Sequence, residues 1–193
     1  MPAQPADDAD ITALALAARD GDRAASERFI AATQRDVWRF LAHLDSPATA
    51  DDLTQETYLR ALRGLHTFSA RSSARAWLLA IARRVVIDQI RRASARRRHT
   101  ATGDAATIEP PQPAGLPGFD EGIALADLIS RLDPDRREAF VLTQVNRLSY
   151  AEAAEVCDCP IGTVRSRVAR ARDDLITFLA EAEGPGGSRT STG

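Results

Sequence analysis

At 193 residues with 44% hydrophobic side chains, the chain has room for one or two small folded domains. Its longest apolar runs, around Ile11 to Ala18 and Ala76 to Ala82, fall well short of the roughly 20 residues needed to cross a bilayer, which excludes a membrane-spanning reading. The net charge of −2 hides a segregation: residues 1–56 carry eleven acids against five arginines, and residues 57–98 carry eleven arginines against a single acid, Asp88.

The acidic, proline-containing start, Met1 to Asp10, lacks the positive segment and apolar stretch of a secretory signal. A cytoplasmic protein with a disordered tail over residues 1–9 is therefore expected. Helix signals follow from Asp10 to Arg19 and from Asp22 to Leu44, the second with Phe29, Ile30, Val37, Phe40, Leu41 and Leu44 at helical spacing. A third helix is expected from a Thr49 cap with Asp52 to about Leu65, and a fourth from Ser72 to about Arg97. That fourth helix carries Arg83, Arg84, Arg91, Arg92, Arg96, Arg97 and Arg98, more than a helix dipole calls for and suited to a polyanion.

Periodicity then collapses. Residues 99–119 hold four prolines and no arginine, which reads as a flexible linker. Order resumes with a helix from about Glu121 to Leu132, then Asp133 and Pro134 as a cap and first-turn pair opening a helix to about Arg147. No segment alternates like a strand, so the fold class is all-α: two small helical domains, residues 10–98 and 120–182, with a disordered tail over 183–193.

The second domain ends in a helix-turn-helix pattern. Ser149 and Glu152 form a capping box for the first helix, Ala153 and Ala154 permit a close crossing, and Asp158 in the turn suits a left-handed backbone. From Pro160 onward, Ile161, Val164, Val168, Ala171, Leu175 and Leu179 form an apolar stripe, while Thr163, Arg165, Ser166 and Arg170 project from the other side. Hydroxyls for phosphates and guanidinium forks for guanine edges are what an element in the major groove needs. The two cysteines, Cys157 and Cys159, are too close for a good disulfide and too few for zinc, and His43, His66 and His99 lie far off; no metal or cofactor is expected.

Four blocks now occur in a characteristic order: ADDLTQETYLRAL (50–62), FSARSSARAWLLAIARRVVIDQIRR (68–92), the proline-rich linker, and LSYAEAAEVCDCPIGTVRSRVARAR (148–172). In this order the chain resembles bacterial sigma factors of the extracytoplasmic-function (ECF) type, and most of all a SigC-like group. The resemblance implies sigma region 2 in the first domain and sigma region 4 in the second. It implies core RNA polymerase as a partner, through its beta-prime clamp helices and beta flap, together with promoter DNA. Anti-sigma factors, which cover the surfaces polymerase uses, supply a further candidate partner.

By the same resemblance, Asp51, Asp52, Gln55 and Glu56 would dock on the clamp helices. The minus-10 element would be held by Arg71, Ser72, Ser73, Arg75, Trp77, Arg83 and Arg84. Trp77 shares a helical stripe with Leu78, Ile81 and Val85 and is read first as a core residue. Arg84 stands where the family commonly has Asn. The minus-35 element would be read by Thr163, Arg165, Ser166 and Arg170, with Arg167 beside a phosphate. Asp88 is expected to pair with a neighbouring arginine. No catalytic residues follow, and no glycine-rich phosphate loop or nucleophile motif argues for an enzyme. The competing reading is a one-component helix-turn-helix regulator that binds DNA without polymerase.

Overall fold

The computed structural model describes residues 7–100 and 120–182, and all regular structure among the described residues is helical. Most of the expected linker and tails therefore lies outside the described residues. Helix α1 (Asp8–Arg19) starts two residues earlier than expected, because Ile11 N–H reaches back to the Asp7 carbonyl at 3.0 Å and two acids sit in the positive first turn. Gly21, at φ +99°, turns the chain into α2 (Arg23–Leu44), whose first turn is capped by Asp22 Oδ1 accepting from Ala25 N–H at 3.0 Å.

Phe29, Thr33, Val37, Phe40 and Leu41 form the buried stripe of α2; Ile30 and Leu44 lie only half-buried beside it. Helix α3 (Pro47–Gly64) also begins before the expected cap. Pro47 takes the first helical position, where no N–H is needed, and the Thr49 hydroxyl bonds instead to Asp45 (2.6 Å) and to the Ser46 carbonyl (3.1 Å). Between α2 and α3 the buried hydroxyls of Thr33 and Tyr58 meet at 2.7 Å, and burial pushes the Tyr58 phenol pKa well above its ordinary value.

A 3₁₀ turn (Leu65–Thr67) and a loop through Ala70, at φ +52°, lead into α4 (Ala74–Thr100). Ser73 rather than Ser72 sits at its head, its hydroxyl accepting from Ala76 N–H at 3.3 Å. The helix extends through Thr100, so the first two residues of the expected linker are helical.

The second half follows the expected order: α5 (Asp120–Ser130), α6 (Pro134–Phe140), α7 (Tyr150–Cys157) and α8 (Ile161–Ala182). Asp133 Oδ1 caps α6 through Asp135 N–H (3.0 Å) and Arg136 N–H (3.3 Å). Helix α6 opens into a π turn over Val141–Val145, after which Arg147 takes a left-handed backbone at φ +59°. The two halves touch: α4 packs on α7, and α2 meets α5, α6 and the π turn. One core cluster runs through both, from Ile11 to Leu175.

Truncating Phe29, which is 1% exposed, leaves a void beneath α1 and α3. The Phe29→Ala variant is expected to lose about 3–5 kcal/mol of stability in urea unfolding. Tyr58→Phe, which removes one hydroxyl while Thr33 keeps its bond to the Phe29 carbonyl, should lose only about 1 kcal/mol.

Candidate nucleic-acid interface

The helix-turn-helix closes as the sequence implies. Ser149 Oγ accepts from Glu152 N–H at 3.2 Å, Ser149 N–H donates to Glu152 Oε2 at 3.0 Å, and Asp158 turns the chain at φ +53°. Ala153 and Ala154 are buried where α7 meets its neighbours. On α8, Val164, Val168, Ala171 and Leu175 are buried. The two ends of the expected stripe are not: Ile161 is 40% and Leu179 47% exposed, because α8 overruns the core at both ends.

With those four residues buried, Arg165, Ser166, Ala169 and Arg170 face solvent and Thr163 is half-buried. The Arg165 guanidinium lies 6.0 Å from the centre of the Tyr150 ring, and Ser166 Oγ donates to the Thr163 carbonyl at 2.9 Å. Arg167 is oriented differently. It is half-buried, hydrogen-bonds to Asp135 on α6 and approaches Cys159 Sγ at 3.8 Å, so it braces the turn in this conformation.

The residues assigned to the minus-10 element fall into four different settings. Arg71 and Arg84 are exposed and Ser72 half-buried. Trp77 packs on Phe68 with ring centres 5.1 Å apart, in keeping with a core role. The Arg75 side chain, 13% exposed, forms ion pairs with Asp8 (3.0 Å) and Asp36 (3.5 Å) inside the first half. Ser73 and Arg83 are engaged by the second half: Ser73 Oγ donates to Glu152 Oε1 at 2.6 Å, and Arg83 Nε to Glu138 Oε1 at 2.5 Å.

Burial pushes the Glu138 carboxyl above its ordinary pKa against the pull of Arg83. Burial also works against the Glu152 carboxylate, but hydrogen bonds from Ser73 and Ser149 outweigh it and hold its pKa below the ordinary value. A third polar link joins buried Asn146 Nδ2 to the Asp36 carbonyl at 2.8 Å. Glu138 and Asn146 carry no local motif; only their position in a mostly apolar surrounding hints at a partner.

On α3, Asp51, Asp52 and Gln55 are exposed. Glu56 is half-buried and accepts from Arg60 Nε at 2.7 Å. Asp88 pairs across to α3, with Arg60 Nη1 at 2.8 Å, and not with an arginine of its own helix. Side chains of Arg97 and Arg98 lie outside the described residues. Among the described residues, no group of three or more His, Cys, Asp or Glu side chains could hold a metal ion. Cys157 ends α7 rather than lying in the turn, and burial pushes its thiol far above its ordinary pKa.

A helix-turn-helix with an arginine-bearing outer face, joined to a second helical unit with its own arginines and a separate acidic helix, defines a two-domain helical DNA-binding protein. Family models agree with both halves: sigma-70 region 2 matches residues 29–96, and sigma-70 region 4 matches residues 123–175. The chain is 53% identical over 184 residues to the ECF RNA polymerase sigma factor SigC of Mycobacterium tuberculosis, covering 95% of this chain and 97% of that one. It is 33% identical over 186 residues to the ECF RNA polymerase sigma factor BldN of Streptomyces coelicolor, covering 93% and 70% of the two chains. Among solved structures, the sigma factor RpoE in complex with the anti-sigma factor NepR from Bartonella quintana aligns with a TM-score of 0.66 at 29% identity, over 79% of this chain and 95% of that one. The chain belongs to the ECF sigma factors.

Removing the Glu138 carboxylate leaves Arg83 in the seam without its partner. A charge-assisted hydrogen bond of this kind is worth about 1.5–3 kcal/mol, so Glu138→Ala should loosen the contact between halves without unfolding either. Hydrogen exchange should then quicken in α7 and the π turn and stay slow around Phe29 and Phe40; uniform acceleration would mean that the pair supports global stability instead.

Proposed function

We propose that this chain acts as an ECF sigma factor in which α3 docks on core RNA polymerase, α8 reads the minus-35 duplex, and the 69–76 loop with α4 holds the minus-10 element as its strands separate. The single observation that carries the reading is the division of α8: its apolar side is spent on the domain core, and Arg165, Ser166 and Arg170 remain outside. Guanidinium forks donate to guanine O6 and N7, and hydroxyls serve the phosphates that fix the register. The carboxylates of Asp51 and Asp52 repel phosphate and suit a basic protein surface, and the beta-prime clamp helices are the partner we assign to them together with Gln55 and Glu56. Region 4 is assigned to the beta flap.

On this reading the folded units span residues 10–98 and 120–182. The protein performs no catalysis of its own; polymerase carries out nucleotide transfer. It acts in the cytoplasm, where promoters and polymerase are, and no described helix is long and apolar enough to cross a membrane. An anti-sigma factor is a reasonable partner, given that the RpoE relative is seen in complex with one.

The described arrangement also constrains the mechanism. Glu138 and Glu152 occupy the same groups, Arg83 and Ser73, that we assign to the minus-10 strand. The halves therefore have to part along this seam before both promoter elements are held at once.

In vitro transcription with core polymerase on a promoter library tests the whole reading. Arg165→Ala should weaken use of the minus-35 element by about 1–3 kcal/mol and leave polymerase association intact. Loss of polymerase binding in that variant would reverse the domain roles. Replacing Asp51 and Asp52 by Arg should impair association with polymerase, since like charges would face each other. Unchanged association would remove α3 from the docking surface.

A further inference from the structure

Among the described residues, Trp38 is the one aromatic side chain that the fold leaves exposed. Tryptophan is highly buried on average, and the chain has only two, of which Trp77 packs on Phe68. Trp38, on α2, is 36% exposed. Its indole Nε1 donates to Asp51 Oδ1 on α3 at 2.8 Å, across the hairpin of the two helices. Asp51 is one of the exposed carboxylates assigned to polymerase docking. Along α3, Asp52, Gln55, Leu59 and Leu62 follow at steps of three or four residues, all exposed, so one face of the helix runs from acidic to apolar beside the tryptophan.

Two physical consequences follow from this placement. An exposed aspartate ordinarily samples several rotamers and gives up that freedom on binding; one held by a rigid indole N–H has given it up beforehand. The uncovered part of the indole offers a flat, electron-rich surface, on which a guanidinium or the aliphatic stem of a basic side chain lies well. Tryptophan, with tyrosine and arginine, is also enriched among the residues that carry most of an interface's binding energy.

We infer that Trp38 belongs to the polymerase-docking surface, as a positioning residue that holds the Asp51 carboxylate ready for a basic helical partner and as an aromatic seat for a cationic side chain of that partner. The inference rests on the reading of α3 as the docking helix, and it adds a determinant from α2 that lies outside the α3 motif.

A double-mutant cycle on the full chain tests it, with affinity for core RNA polymerase as the readout. Trp38→Phe keeps an aromatic ring and removes the N–H donor; Asp51→Asn keeps an acceptor and removes the charge. Each single change is expected to weaken binding roughly 5–10-fold, and the double variant to be hardly worse than the weaker single one, because the two side chains act as one unit. Wild-type affinity in Trp38→Phe, or effects that multiply, would overturn the positioning role. A second measurement does not depend on how well that variant folds. In a Trp77→Phe chain carrying 5-hydroxytryptophan at position 38, saturating polymerase should shield the probe from iodide quenching several-fold. Unchanged quenching in the complex would overturn the seat for a cation. Asp52→Arg separates the two levels of the reading: if it leaves polymerase affinity untouched, α3 is not the docking helix and the inference falls with it. If it weakens binding while Trp38→Phe does not, only the role of Trp38 fails.

Discussion

The first half of α4 is buried on more than one side, and the packing of α1, α2, α3 and α7 converges on it. Ala74, Ala76, Leu78, Leu79, Ala82, Val85 and Val86 are all buried, more than a single helical stripe can supply. The helix meets α1, α2 and α3 in its own half and α7 in the other. Three of the seven are alanines, which let neighbouring backbones come close. Polar side chains on this stretch are confined to the positions left over. Arg84 takes one that opens to solvent, while Arg83 lies in the seam against α6.

That seam continues the apolar core of the two halves but carries polar links beside it. Within the halves, contact is chiefly apolar, as around Phe29, Phe40 and Leu41 or around Val164, Val168 and Ala171. Across the seam run three polar links: Ser73 at the head of α4 to Glu152 on α7, Arg83 on α4 to Glu138 on α6, and Asn146 after the π turn to the Asp36 carbonyl on α2. A polar link exchanges protein partners for water at modest net cost, whereas an apolar contact loses its whole burial term when opened. Asn146 Oδ1 is buried without a hydrogen-bond partner, so the seam is not fully satisfied even when closed. Contact of this character suits two units that hold together in the free chain and separate when polymerase and promoter offer better partners.

Charge is divided among the helices by the same economy of positions. On α3, Leu53, Thr57, Tyr58 and Ala61 face the core, which leaves Asp51, Asp52 and Gln55 outside. On α8 the core takes Val164, Val168, Ala171 and Leu175, which leaves Arg165, Ser166 and Arg170 outside. Acidic and basic faces thus sit on different helices, with little mutual cancellation. A net charge of −2 conceals both.

What the amino-acid order determined is whatever depends on neighbours within a turn or two. Helix periodicity marked the helices of both halves; Ser149 with Glu152 marked the head of α7, Asp133 with Pro134 that of α6, and Asp158 the left-handed turn. The exposure of Asp51, Asp52, Gln55, Arg165, Ser166 and Arg170 was legible for the same reason, since a helix that buries one stripe must present the other. Where local signals competed, the ends of helices moved: Pro47 displaced Thr49 as the start of α3, and Ser73 rather than Ser72 heads α4. Tertiary structure alone decided the pairings between residues far apart in the chain. Arg60 with Asp88, Arg75 with Asp8 and Asp36, Arg83 with Glu138, and Trp38 with Asp51 join helices whose spacing and rotation are set by side-chain packing, and no short-range pattern in the sequence encodes that geometry.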